Sequence, residues 1–561
     1  MKQVGDYLGK CLIKAILKPA QLDDELVRDG LCKSESRSDL LGCRRSDNNE
    51  ITAVTDSDPL YNDWIHQQLR VQPDNLAVRD LTADREFTWR EFNGRVDALA
   101  HCLIAENISA GDRVAYLGLN SSDVVEIFSA TVRIGAVYVP LNFRLSPPEL
   151  SFILGDSKPS AILFDHDFER VISEIDESVL PSVLVDTALD GSPSGYEKAL
   201  IWDRDTIEPA AANADTLSMI MYSSGTTGKP KGVMYTRRMM LASALNLLQP
   251  SEASTQSRVL NVMPLFHIGG MQSVLMATKF GIPQLIMRSF DPGAMLAAID
   301  DPDLAITNIG GVPAMWSAMS LMPNISDIDF TRLRVAVTGA ESVPEPMLKE
   351  WQERGILLQE VYGMTETSGV VCMAQKADLP KHLGYAGRAL PYGDLKIMKS
   401  EAEQALPGEL GEIWVRGAAV TPGYWNRPDA TAEAFVGNWL KSGDIGRLDQ
   451  TGRLSVEDRI KDMYISGGEN VYPAEVESVL LAHPDMREIA IIGLPDVKWG
   501  EVGCAVVATV SGEQLSIEEI HQQCKGKLAR FKWPKQVVHT DALPRNSTGK
   551  VQKFVLRQQY T

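Results

Sequence analysis

Between Tyr222 and Gly232 the chain reads YSSGTTGKPKG, with three glycines, four Ser or Thr hydroxyls and two lysines in one loop. Glycine lets backbone N–H groups face an anion with no Cβ in the way, hydroxyls add donors, and lysine adds charge. Such a loop suits a polyphosphate; a plain flexible turn is the other reading of the same composition. The mononucleotide P-loop has four residues between its glycines and a Ser or Thr after its lysine. Here two residues separate Gly225 from Gly228, and Pro230 follows Lys229. A kinase or ATPase of the P-loop kind is therefore disfavoured.

Other residues could do chemistry beside a phosphate. In VYGMTET (361–367), Glu366 sits next to the Thr365 hydroxyl. Magnesium takes a few carboxylate oxygens together with phosphates, although a capping Thr with a first-turn acid has the same spelling. Asp444 in KSGDIG (441–446) could accept from ribose hydroxyls or simply close its own turn. Arg459 in EDRIKD (457–462) could pair with a phosphate or with a surface carboxylate. TGAES (338–342) leaves an apolar run, as a loop lining a nucleotide would, or as any strand-to-helix turn does. His267 in PLFHIGG (264–270) and NIGGVPAMW (308–316) lie in segments nearly free of charge. They fit an apolar pocket with room at Gly310 and Gly311; Trp316 fits its wall or the core equally.

Positioning these loops requires ordered elements around them. DRVAYLGL, VYVPL, SAILF, RVLNVM, LRVAVTGA and ILLQEVYG read as strands, with helical stretches such as SSDVVEIFSATVRIGA and PAMWSAMSLM between them. This alternation predicts α/β layers with largely parallel, buried strands, whose ligands sit at the strands' carboxyl ends. After Pro407 short strands with glycine turns take over, and DQTG reads as a hairpin connection. From Lys461 the pattern becomes a small α+β unit. The expected organisation is a polar leader and linker over 1–57, a large domain of layered α/β subdomains over 58–460, and a small mobile α+β domain over 461–561, with the boundary in EDRIKD.

The bulk numbers narrow the class. At 561 residues the chain exceeds one core. A net charge of −19 argues against general nucleic-acid binding, which needs a positive footprint. Seven scattered cysteines, with no CxxC pair, suit a reducing cytoplasm better than a disulfide framework. No apolar run reaches membrane-spanning length. The N-terminal MKQVGDYLGKCLIKAILKPA reads as a mobile polar leader or a weakly amphipathic helix capable of peripheral membrane contact.

The string YSSGTTGKPKG resembles the phosphate loop of the adenylate-forming superfamily, which holds acyl- and aryl-CoA synthetases, firefly-type luciferases and nonribosomal peptide adenylation domains. VYGMTET, GYWNRPDATAEAF, WLKSGDIG, EDRIKDMYISGGENVYPAEVE and PRNSTGK follow in that superfamily's order, so the likeness covers about residues 60–560. It implies a reaction in which a carboxylate attacks the α-phosphate of ATP, giving an acyl-adenylate and pyrophosphate, and a thiol, usually of coenzyme A, then displaces AMP. By the same resemblance Ser223, Ser224, Gly225, Thr226, Thr227, Gly228 and Lys231 hold phosphates, Thr365 adds a contact, and Glu366 takes Mg²⁺. Gly339, Ala340, Glu341, Tyr362, Gly363 and Met364 surround adenine, and Asp444 and Arg459 hold the ribose and phosphate. Lys550, an ordinary surface lysine on composition alone, becomes the catalytic lysine of the first step, delivered by Ser547, Thr548 and Gly549. Lys461 is the hinge about which the small domain turns to present Gly467, Gly468 and Glu469 to the thiol. His267 stands beside the carboxylate entrance.

The segments around the expected pocket favour an apolar acid over an amino acid, because no acidic partner for an ammonium stands out. The expectation is an ATP-, Mg²⁺- and CoA-dependent acyl-CoA synthetase acting on a fatty or other apolar carboxylic acid in the cytoplasm, as a monomer or homodimer. The alternatives are an aryl acid–CoA ligase of the coumarate type, an enzyme loading a carrier protein, and a non-catalytic nucleotide-binding relative.

Overall fold

In the structure, a computed structural model, the residues described are 58–61, 63–181, 183–187, 194–200, 206–223, 230–341, 343–379, 381–459, 462–466, 469–545 and 550–561. The leader and linker expected over 1–57 lie outside them. Two sheets carry the large α/β part. One has six strands in the spatial order Val183–Thr187, Ala161–Asp165, Arg113–Leu117, Val137–Leu141, Leu217–Ser223 and Lys231–Thr236. These run parallel until the last pair, which forms an antiparallel hairpin. The other has nine strands, with Leu358–Met364, Val335–Gly339, Asn308–Gly311, Val259–Asn261, Gln284–Ile286 and Leu76–Asp80 parallel in its interior. Its edge strands are antiparallel.

The strands read as apolar runs because helices cover both faces of a parallel sheet. Ser122–Arg133 is buried along its whole length, and Arg237–Leu248 packs against Ile268–Phe280. Local chemistry sets their starts. The Thr236 side chain accepts the Met239 N–H, and His267 caps the next helix through its own ring.

A third, antiparallel sheet contains Gly393–Ser400, Gly411–Gly417, Trp439–Leu448 and Leu454–Arg459. The DQTG hairpin closes as expected, with Asp449 Oδ1 accepting from the N–H groups of Thr451 at 2.7 Å and Arg453 at 3.0 Å. The α+β region beyond has the long strands Met486–Asp496 and Gly500–Thr509 paired antiparallel, with Gln536–His539 added in parallel. Its helix Ile517–Cys524 is shorter than SIEEIHQQCKGKLA suggests. Lys525 is already extended and Gly526 turns to φ +74°, which ends the helix. Among the described residues no helix is long and apolar enough to cross a membrane.

Candidate active site

Three neighbouring parallel strands end at one place. Asn308–Gly311 delivers Gly310 and Gly311, Val335–Gly339 delivers Gly339, Ala340 and Glu341, and Leu358–Met364 delivers Met364, Thr365 and Glu366. Parallel strands side by side must put their carboxyl ends on one edge, which is where open α/β sheets bind ligands. Close packing there demands glycine: a Cβ on Gly339 would lie 2.6 Å from the Val361 carbonyl, and one on Gly363 would lie 2.0 Å from that of Gly369. Ala340 follows with φ +72°, a strained conformation for a side-chain-bearing residue and of the kind that collects at functional sites.

These ends form the floor of a cleft of about 2430 Å³. That exceeds the few hundred to about 1,000 Å³ of a pocket for one small ligand, and leaves room for several substrates at once. Ser223 and Lys231, paired across the hairpin, stand on its rim. Ser224, Gly225, Thr226, Thr227 and Gly228 lie outside the described residues, so the structure describes the two ends of the expected phosphate loop.

Lys231 places its Nζ 5.0 Å from the centre of the Tyr424 ring, a cation–π contact. The Tyr424 hydroxyl donates to Glu366 Oε1 at 3.0 Å. Glu366 is 8% exposed, and burial holds its carboxyl above the usual range, opposed by the Tyr424 hydrogen bond and the Lys231 charge. A buried carboxylate beside the phosphate-loop end Lys231 fits a cation that bridges to phosphate. Among the described residues no group of three or more His, Cys, Asp or Glu is placed to hold a metal. An ion at Glu366 would therefore complete its shell with phosphate oxygens and water, as Mg²⁺ does. The Thr365 carbonyl accepts the Tyr235 hydroxyl at 2.6 Å, which pins this turn.

A second group stands opposite. The Tyr362 hydroxyl donates to Asp444 Oδ2 at 2.9 Å, and Arg459 Nε lies 3.5 Å from Asp444 Oδ1. Asp444 and Arg459 are register partners on adjacent strands, so the sheet itself sets that pairing. Lys461, Gly467 and Gly468 lie outside the described residues. Glu469 is exposed and stands apart from the residues lining the cleft.

The third group spans the two ends of the chain. Lys550, His267 and Glu341 all line the cleft. His267 Nδ1 accepts the Gly269 N–H at 3.1 Å, which leaves the ring proton of the neutral imidazole on Nε2. Burial, helped by the Lys550 charge, pushes that imidazole down to about 4, so it is neutral at physiological pH. Burial raises the Glu341 carboxyl, partly offset by Arg545 and Lys550. Arg545 reaches Glu341 at 3.9 Å and is held within its own domain by Glu488 at 2.6 Å.

One expectation is corrected. Trp316 does not line the pocket: it is 0% exposed, its indole N–H donates to the Val337 carbonyl at 3.2 Å, and its ring meets Trp351 edge-to-face at 5.0 Å. It supports the strand beneath the cleft, while Ala314, Ser317 and Ala318 of its helix face the opening. Tyr424 and Arg545 carry site contacts that the motif reading left unassigned. Both lie inside recognised strings, GYWNRPDATAEAF and PRNSTGK, which was the available signal.

Comparison with known proteins agrees with this geometry. A family described as AMP-binding enzyme matches residues 65–425, and its C-terminal domain matches 475–550. The chain is 36% identical over 502 residues to an indoleacetate–CoA ligase of Aromatoleum aromaticum, covering 89% of this chain and 97% of that one. It is also 36% identical over 498 residues to a long-chain fatty acid–CoA ligase of Mycobacterium tuberculosis, covering 89% and 98%. Among solved structures, o-succinylbenzoate CoA synthetase of Bacillus subtilis with its acyl-adenylate intermediate superposes at TM-score 0.79 and 32% identity, over 89% of this chain and 98% of that one. The chain therefore belongs to the AMP-binding enzymes, the adenylate-forming acid–thiol ligases that use ATP, Mg²⁺ and coenzyme A.

Proposed function

We propose that this enzyme activates a fatty or otherwise apolar carboxylic acid and transfers it to coenzyme A, with both steps in the one cleft. The observation that carries the reading is that Lys550, from the far end of the chain, lines the same cleft as His267, Glu341 and Glu366. In the first step the loop between Ser223 and Lys231, with Thr365, holds the triphosphate. Glu366 would hold Mg²⁺, which supplies neutralisation of phosphate charge when bound. Asp444 and Arg459 hold the ribose, and Gly339, Ala340, Glu341, Tyr362, Gly363 and Met364 frame the base.

The acid reacts as its anion, so no general base is required. The neutral His267 Nε2–H orients one carboxylate oxygen while the other attacks the α-phosphorus and pyrophosphate leaves. The Lys550 ammonium stabilises the charge that builds between them. In the second step the thiol displaces AMP from the acyl carbon. The small domain, residues 461–561, turns about Lys461 to withdraw Lys550 and bring Gly467, Gly468 and Glu469 to the cleft. The position of Glu469 off the cleft supports this, because that face must move in order to act.

An apolar acid is favoured by the apolar residues of the cleft, among them Leu247, Val259, Met263, Phe266, Met276 and Val335. We assign the reaction to the cytoplasm and to a monomer or homodimer. An aryl acid is the second reading, supported by the identity to the indoleacetate ligase. Pyrophosphate release over acids from acetate to palmitate, benzoate, coumarate and a polycyclic acid, with and without CoA, tests both. Turnover of a fatty acid with CoA-dependent AMP release is the expected result. Turnover restricted to aryl acids selects the second reading, and adenylate formation with AMP release unaffected by CoA sinks both.

A further inference from the structure

The helix Pro473–Leu480 starts without a cap of its own. Tyr472, the residue before it, makes no capping side-chain bond, and Pro473 has no N–H. The first N–H of the helix is that of Ala474, and it donates to Asp458 Oδ2 at 2.8 Å. Asp458 belongs to another part of the fold. It sits in the strand Leu454–Arg459, paired with Ile445 of Trp439–Leu448 in the third sheet. Its Oδ1 accepts the Arg459 N–H at 2.7 Å. Burial raises the Asp458 carboxyl to about 6, opposed by the Lys553 charge and by the two N–H groups and helped by the charge of Glu477, so it is ionised at neutral pH. A carboxylate at a helix N-terminus is further favoured by the helix dipole.

Lys553 ties the same helix to the C-terminal segment. Its Nζ lies 2.8 Å from Glu477 Oε1, and that oxygen also accepts the Ile491 N–H at 2.6 Å. Lys553 follows Lys550 by three residues, at most about 10 Å of extended chain. Asp458, Ala474, Glu477, Lys550 and Lys553 all line the cleft. We infer that Asp458 is a positioning residue for the first step: it caps the helix Pro473–Leu480 and attracts Lys553, and so holds the small domain where Lys550 enters the cleft. This rests on the two orientations proposed above. A turn about Lys461 carries Ala474 and Lys553 away from the strand that holds Asp458, so the cap and the charge attraction are lost together. Asp458 thus weights the balance between the orientations toward the first.

The test uses the purified full chain and measures the two steps separately. Rapid-quench pyrophosphate release gives the first rate, and CoA added to preformed adenylate gives the second. Asp458→Ala should shift the ratio of these rates about 10-fold toward the thioester step, the worth of one hydrogen bond to a charged group. ATP affinity, by calorimetry, should stay within about 3-fold. Asp458→Asn keeps an acceptor for the Ala474 N–H but loses the charge, so its ratio should lie between wild type and Asp458→Ala; it also serves if Asp458→Ala does not fold. Spin labels at Val71→Cys and Val510→Cys, exposed positions on the large and small domains, read the orientation without turnover once the accessible native cysteines are changed to serine. A second distance between the labels should grow in the Asp458 variants. An unchanged rate ratio, with both steps falling together through lost stability, overturns the inference, and so does an unchanged distance distribution. If no acid of the panel releases pyrophosphate, the synthetase reading fails on its own, and the label distances still decide whether Asp458 holds the small domain.

Discussion

The cleft has two sides built in different ways. On the large-domain side, three adjacent strand ends are tied to one another and to their neighbours. Tyr424 holds Glu366, Tyr235 holds the Thr365 carbonyl, and Tyr362 holds Asp444, at 3.0, 2.6 and 2.9 Å. On the small-domain side, Lys550 lines the cleft. On the same side Arg545 approaches Glu341 at 3.9 Å. A network of short bonds is preorganised, whereas a long ion pair between partly exposed groups contributes little and is easily released. The function proposed above puts ground-state binding of ATP on the large-domain side and charge stabilisation during attack on Lys550.

Breaking one side at a time should separate these roles. The largest effect is expected from Lys550→Ala. Adenylate formation should fall by about 100- to 1,000-fold, the cost of losing one charge-stabilising group, while ATP affinity stays within about 3-fold. Pyrophosphate release and calorimetry measure the two quantities; an unchanged adenylation rate removes Lys550 from the chemistry. Next is Glu366→Gln, which should lower kcat/KM for ATP by about 100-fold and raise the Mg²⁺ concentration needed for half-maximal activity. A Mg²⁺ titration at fixed ATP checks this, and a superimposable curve would place the ion elsewhere.

Asp444→Ala sharpens the distinction from the binding side. It removes an acceptor with two partners, and the KM for ATP should rise about 10-fold with little change in kcat. Arg545→Ala should cost only about 2- to 5-fold in the adenylation step, because its pair with Glu341 is long, and should spare the thioester step. Single-turnover assays starting from preformed adenylate separate those steps.

The smallest effect concerns stability. The folded His267 imidazole is pushed from 6.5 to about 4, so between those values the unfolded chain binds more protons than the folded one. Its contribution is complete above about pH 6.5 and is lost as pH falls toward 4. His267→Asn should therefore lose less Tm than the wild type between pH 7.5 and 5, and an identical loss would show that the ring is not held neutral.

Much of the architecture is legible in the sequence. Alternating apolar runs announced parallel strands, and the glycine- and hydroxyl-rich strings fell at their carboxyl ends, because a buried strand leaves its loops as the place for polar chemistry. Facing was less legible. NIGGVPAMW carries no charge, so its composition could not say that Ala314 looks into the cleft while Trp316 looks into the core against Trp351.

By itself the sequence determined the family, the order of the motifs and the residue types at the strand ends, since these are properties of local strings and of periodicity. Tertiary structure alone decided which distant groups meet. Tyr362 finds Asp444 across 82 residues, Tyr424 finds Glu366 across 58, and Lys550 comes to the cleft that holds His267. Hydrogen bonds and charge effects act over a few ångströms, and only the packing of sheets and domains brings such residues that close.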